Sequence, residues 1–164
     1  MPYDALDDRR MVLTKKYAWA IPNDTALSAI RSQTPLIEIG AGKGYWASLL
    51  DVDIICYDIA PDGNRWCDPG YYYPVAKGGP EQILAHPDRT LMLCWPPYNN
   101  SMASECLKVY TGNVLIYIGE GGGGCTGDSD FWNLIQESWE EEDYLVLPQW
   151  CGLHDGLYIF KRDA

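Results

Sequence analysis

No apolar run in this chain approaches the roughly 18–20 residues that a helix needs to cross a bilayer, and no stretch of it is basic. The opening residues, Met1 to Arg10, are polar and acidic, unlike a secretory signal or an arginine-rich transit peptide. A cytoplasmic protein without membrane contact is the expectation. Zinc-type spacing is missing too: there is no Cys-x-x-Cys pair, and His86 and His154 are not spaced with cysteines as metal ligands are. No metal is therefore expected. Positive charge is scarce, with 12 Lys+Arg against 23 Asp+Glu and a net charge of −11. A protein that binds duplex nucleic acid must supply cations to displace phosphate counterions. Nucleic acid is thus disfavoured as a partner, although a local patch or a second subunit can still provide the charge.

What is present suits a globular enzyme-sized unit. The 164 residues fit one domain over 1–164, and 47% of them are hydrophobic. Of six cysteines, Cys56 and Cys94 fall in apolar runs that read as buried strands, and Cys106 falls on a helix. Cys67, Cys125 and Cys151 fall in loops, and reduced thiols are expected throughout.

Short apolar runs predict strands at Leu36–Ile39, Asp53–Tyr57, Thr90–Trp95, Asn113–Ile118, Tyr144–Leu147 and Leu157–Lys161, with a weaker one near Tyr72–Ala76. Helical spacing predicts helices over Thr25–Arg31, Tyr45–Leu50, Pro80–Ala85, Met102–Tyr110 and Asp130–Trp139. Their alternation implies an α/β fold with a mostly parallel sheet and helices on both faces. Only Pro148–Gly156 separates the last two strands, which is too short for a parallel crossover. That pair should be an antiparallel hairpin.

The richest segment is Glu38-Ile-Gly-Ala-Gly-Lys-Gly-Tyr-Trp46. An apolar strand runs into Gly40, Gly42 and Gly44, and a helix follows at once. Glycines there let the backbone approach a ligand, and the helix start offers unpaired N–H groups. Asp58 closes the next strand, where a carboxylate can accept both hydroxyls of a ribose. The alternative is a tight turn with a surface carboxylate nearby. The spacing is G-x-G-x-G, not the G-x-G-x-x-G of dinucleotide binding, which disfavours a nicotinamide oxidoreductase.

These residues resemble motif I of the class I S-adenosylmethionine-dependent methyltransferases. Together with Y-A-W-A-I-P-N, C-W-P-P-Y and Y-I-G-E-G-G-G-G-C-T-G-D, they look like a group of small class I methyltransferase-like proteins. The resemblance implies a Rossmann-like three-layer sandwich whose seven-stranded sheet ends in an antiparallel hairpin. It implies S-adenosylmethionine as cofactor, held by Glu38, Gly40, Ala41, Gly42 and Gly44, with Asp58 on the ribose. Ile59 and Cys94 would line the same site, and Tyr45 and Trp46 would help to cover it, with helix-to-sheet packing as the alternative for those two. It also implies that the N-terminal segment, residues 1–35, closes over the cofactor, which gives Tyr17 and Trp19 a shielding role. Packing is the alternative for both.

Cys94-Trp-Pro-Pro-Tyr98 lies where amino-methyltransferases of that superfamily carry Asn/Asp/Ser-Pro-Pro-Tyr/Phe. Their polar first residue accepts hydrogen bonds from the target amino group. Here that position is Trp95, and indole donates one hydrogen bond and accepts none. Pro96 and Tyr98 can still fix a carbonyl and stack on an acceptor, while Trp95 can wall the sulfonium. A proline-stiffened strand exit with packing aromatics is the alternative. Glu120 ends the fifth strand before a run of four glycines, and it or Asp128 could orient an acceptor; Asp128 could equally cap a helix. His154 lies in the closing hairpin without a visible partner.

The expected function is methyl transfer from S-adenosylmethionine to a small molecule or protein, with a homodimer as one way to complete the pocket. Two alternatives stay open: a divergent amino-methyltransferase acting on nucleic acid, and a non-catalytic S-adenosylmethionine-binding sensor or partner subunit.

Overall fold

The computed structural model describes residues 3–163; Met1, Pro2 and Ala164 lie outside them. The chain begins with a helix, α1 (Tyr3–Lys16), which the sequence reading does not anticipate. Its apolar residues follow no amphipathic period, so only propensity marks it. An extended segment leads to α2 (Asp24–Arg31), where the Asn23 side chain caps the first turn by accepting from the Ala26 N–H at 2.9 Å.

Strand β1 (Leu36–Ile39) passes through a glycine turn to α3 (Tyr45–Leu50) and then β2 (Ile54–Asp58). Arg31 ties α2 to the end of α3, donating to the Leu50 and Leu49 carbonyls at 2.8 and 2.9 Å. A long loop follows, and β3 is only Ala76–Lys77. A 3-10 turn (Pro80–Ala85), β4 (Thr90–Cys94), α4 (Met102–Val109), β5 (Val114–Gly119) and α5 (Ser129–Ser138) come next. Finally, β6 (Glu140–Val146) and β7 (Gly156–Lys161) form the hairpin.

The seven strands lie in the order β3-β2-β1-β4-β5-β7-β6. β3, β2, β1, β4 and β5 pair in parallel, while β7 is antiparallel to both β5 and β6. Because strand side chains alternate, Leu36 joins a core layer with Ile30, Trp46, Leu50 and Met92, under α2 and α3. Ile37 and Ile39 join the opposite layer with Leu107, Tyr117 and Phe131, under α4 and α5. The result is the expected three-layer, Rossmann-like α/β sandwich. Among the described residues no helix is long and apolar enough to cross a membrane.

Two strands differ from expectation by more than one residue at an end. β6 starts at Glu140 rather than Tyr144, because ladder pairing with β7, not burial, forms it. Its acidic residues Glu140–Asp143 are exposed along a sheet edge, where charge discourages pairing with other chains. Tyr72 and Tyr73, expected in a strand, belong instead to the loop before β3, since their side chains are drawn onto other elements.

Candidate functional site

β1 and β4 are neighbours, yet their connections run to opposite sides, so a crevice opens beyond their C-terminal ends. The glycine turn occupies this point. Gly40, Gly42 and Gly44 all take left-handed backbone, with φ of 76°, 57° and 68°. A Cβ on Gly40 would lie 2.8 Å from the Met102 methyl carbon, and one on Gly44 would lie 2.8 Å from Tyr73 Cβ. Only glycine fits both demands.

The turn is fixed from β2. The Tyr57 carbonyl accepts from the N–H groups of Gly40 and Ala41, at 2.8 and 3.0 Å. Asp58 is buried, and its Oδ2 accepts from Gly42 N–H while its Oδ1 accepts from Ala60 N–H, both at 2.9 Å. Each carboxylate oxygen thus holds one backbone amide and keeps a second acceptor site.

Glu38 points into the α2–α3 side of the sheet and is 2% exposed. Its one side-chain partner is the Cys56 thiol, at 3.8 Å. Burial raises its carboxyl from 4.5 to about 8, offset in part by the Cys56 contact and reinforced by the negative charge of Asp58.

Two segments cover this region. The chain after α1 brings Tyr17 against Tyr45, with ring centroids 5.3 Å apart, and against Tyr72 at 5.8 Å. The loop between β2 and β3 is tied back to α1 and the turn: Asp68 N–H donates to the Lys15 carbonyl, Tyr72 hydroxyl to the Lys16 carbonyl, and Tyr72 N–H to the Lys43 carbonyl. Lys43 lies over the Tyr72 ring, 5.3 Å from its centroid. Trp19 packs between Trp66 and Trp95, at 5.8 and 5.2 Å, and its indole N–H donates to the Trp66 carbonyl. Sequence reasoning missed Trp66 and Tyr72; the signal was the clustering of aromatics in a segment without helical or strand period.

Trp95 leaves β4 with a left-handed φ of 51°, and its indole N–H donates to Asp155 Oδ1 at 2.9 Å. Asp155 is fully buried, and its Oδ2 has no hydrogen-bond partner. Desolvation lifts its carboxyl from 3.8 to about 6; the Trp95 bond opposes the shift and Glu120 adds to it. Cys94 is half-buried beside this group, and burial pushes its thiol far up.

The structure assigns different work to several expected site residues. Trp46 is 2% exposed and packs in the core, where its indole N–H is satisfied by the Ala20 carbonyl; it does not cover the turn. The Pro96 carbonyl is already engaged by Gly127 N–H at 3.1 Å, tying two loops together. Glu120 is buried and clamps two more segments, accepting from Cys125 N–H at 2.6 Å and His154 N–H at 3.0 Å. Asp128 is the cap of α5, accepting from Phe131 N–H, and its other oxygen holds Ser104. Ile59 and Tyr98 are 76% and 60% exposed, on the rim of the region rather than inside it. The His154 side chain is mostly in solvent. Among the described residues, no three His, Cys, Asp or Glu side chains gather as metal ligands would, and all six cysteines are free thiols.

No protein-family model matches the chain, and no curated protein matches it. Solved structures do. The crystal structure of MtNAS in complex with MTA and tNA is 11% identical, with a TM-score of 0.53, over 85% of this chain and 58% of that one. A point variant of MtNAS is 10% identical with a TM-score of 0.51, over 84% of this chain and 57% of that one. The fold is shared. This chain spans less than three fifths of the length of the proteins it matches.

Proposed function

We propose that this chain binds S-adenosylmethionine in the crevice beyond β1, β2 and β4 and transfers its methyl group to a small molecule or protein. The observation that carries the reading is the locked turn: three left-handed glycines at the sheet's switch point, with Gly42 N–H clamped to Asp58. The residues present fit the cofactor. Asp58 retains acceptor capacity on both oxygens for a ribose diol, and Glu38 is a nearly sealed carboxyl that a cationic amino group would stabilise in its charged form. The aromatics Tyr17, Trp19 and Trp95 exclude water and offer ring faces to a positive charge. When bound, S-adenosylmethionine supplies a methyl group already activated by the sulfonium, so the protein's part is chiefly alignment. That a protein of this fold has been solved in complex with MTA, a product derived from S-adenosylmethionine, favours the same class of ligand here.

The acidic surface favours a small or protein acceptor over nucleic acid. Trp95 in the first position of the Pro-Pro-Tyr loop points the same way. Calorimetry with S-adenosylmethionine, S-adenosylhomocysteine and NAD tests the binding: heat from the first two and none from NAD is expected. Absence of heat from both sulfur nucleosides would overturn the reading. Product analysis then separates reactions, because methyl transfer leaves S-adenosylhomocysteine, whereas transfer of the amino-acid-bearing arm leaves the methylthio nucleoside. Turnover of neither kind with any acceptor would favour a sensor or partner subunit.

A further inference from the structure

Asp155 is the one described carboxylate with a buried oxygen that nothing satisfies. It stands just ahead of β7, where Gly156 pairs with Gly119 at the C-terminal end of β5. Such an oxygen is costly to leave unpaired, more so when charged, and the orphaned indole N–H of Trp150 in the same hairpin does not bond it, so its retention asks for a partner beyond the described residues. The other oxygen is pinned by Trp95, which fixes the direction of the free one.

The Pro-Pro-Tyr loop lacks an acceptor side chain at Trp95, and Asp155 restores one in space through the very residue that replaced it. We propose that Asp155 is the acceptor-binding carboxylate of the site, its free oxygen receiving an N–H from a small, flat amine; the word acceptor rests on the function proposed above. An amine is favoured over an alcohol because Glu120 adds a second negative charge nearby and, among the described residues, no ion pair includes Asp155. The other titratable groups around it are Cys94 on β4, Tyr117 on β5, Tyr158 on β7 and the neighbouring His154, whose exposed ring lies toward Glu120 at 3.9 Å. A flat molecule is favoured because Trp66, Trp19 and Trp95 form a continuous aromatic row ending at Asp155, with exposed Tyr98 on the same loop as Trp95.

The test follows the Trp95 indole N–H by proton–nitrogen NMR, its peak identified by loss in Trp95→Phe. Benzylamine should shift that peak, and benzyl alcohol should leave it in place. Asp155→Asn should weaken benzylamine binding by about tenfold or more, while S-adenosylhomocysteine binding measured on the same sample stays unchanged. Equal benzylamine binding by Asp155→Asn and the unaltered protein would overturn the proposal, as would no response to benzylamine. A benzylamine response without any S-adenosylhomocysteine binding would keep Asp155 as an amine site and remove the methyl-transfer reading. S-adenosylhomocysteine binding without an amine response would do the reverse. If Asp155→Asn does not fold, the unaltered protein decides: the Trp95 peak should titrate near 6 and benzylamine should lower that midpoint, whereas an unmoved midpoint refutes the role.

Discussion

Replacing Glu38 with glutamine should remove a steep pH dependence of folding. Glu38 sits with almost no exposure beside the Cys56 thiol, and burial lifts its carboxyl from 4.5 to about 8. The folded protein therefore binds a proton that the unfolded chain has already released in between. Stability from this group is fully present below about pH 4.5 and is lost as pH rises through about 8. Each unit of that interval is worth ~1.4 kcal/mol, so the protein should lose ~3 kcal/mol between pH 5 and pH 7 relative to Glu38→Gln. For a domain of this size that corresponds to a relative fall in Tm of roughly 6–12 °C. Asp155 titrates with the same sign, but only up to about pH 6, and it is present in both proteins, so it cancels in the comparison.

Urea unfolding of both proteins at half-unit steps from pH 5 to pH 8.5 measures the difference directly. Parallel stability profiles would refute the reasoning, because they would mean that Glu38 is solvated or paired. A second arm connects the same group to function. If an amino group of the nucleoside settles beside Glu38, saturating S-adenosylhomocysteine should flatten the steep profile by holding the carboxylate charged.

Two other substitutions probe the turn. Gly44→Ala forces a Cβ toward Tyr73 Cβ at 2.8 Å in left-handed backbone, and should cost about 2–4 kcal/mol in urea unfolding. Gly42→Ala meets only the end of the Cys67 side chain, which can swing away, so about 1–2 kcal/mol is expected; a reversed order would discredit the packing argument. Asp58→Asn leaves a single acceptor oxygen for two amides, Gly42 and Ala60. It should lower stability by about 1–2 kcal/mol and weaken S-adenosylmethionine binding at least tenfold by calorimetry; unaltered affinity would place the ribose elsewhere.

The parts of the site that could be read from sequence are those whose physics is local. A buried strand such as Leu36–Ile39 announces itself by composition, and a run of alternating glycines between strand and helix allows few backbone paths. Asp58 follows from the same unit, since β2 must end level with β1. What stayed hidden depends on partners far along the chain. Trp46 follows the turn immediately, but whether it faces the crevice or the core is decided by Ala20, 26 residues earlier. Glu120 reads as a free carboxylate until the Cys125 and His154 amides arrive to fill it. The loop before β3 carries no periodic signal at all, because Tyr72, Tyr73 and Trp66 are held by α1, β2 and Trp19 rather than by one another.

Trp95 joins both kinds of information. A non-glycine residue with positive φ costs on the order of 1–3 kcal/mol and persists only where its surroundings over-determine it. Three restraints meet here: the backbone N–H donates to the Ile118 carbonyl at 2.7 Å, the ring packs 5.2 Å from Trp19, and the indole N–H holds Asp155. A smaller polar residue at this position could supply an acceptor directly, but it could reach neither Trp19 nor Asp155. Tryptophan therefore does not simply delete the hydrogen-bonding half of the loop. It trades a side chain that accepts for one that carries an accepting carboxylate, and in doing so couples the N-terminal segment, the end of β4 and the closing hairpin around one place.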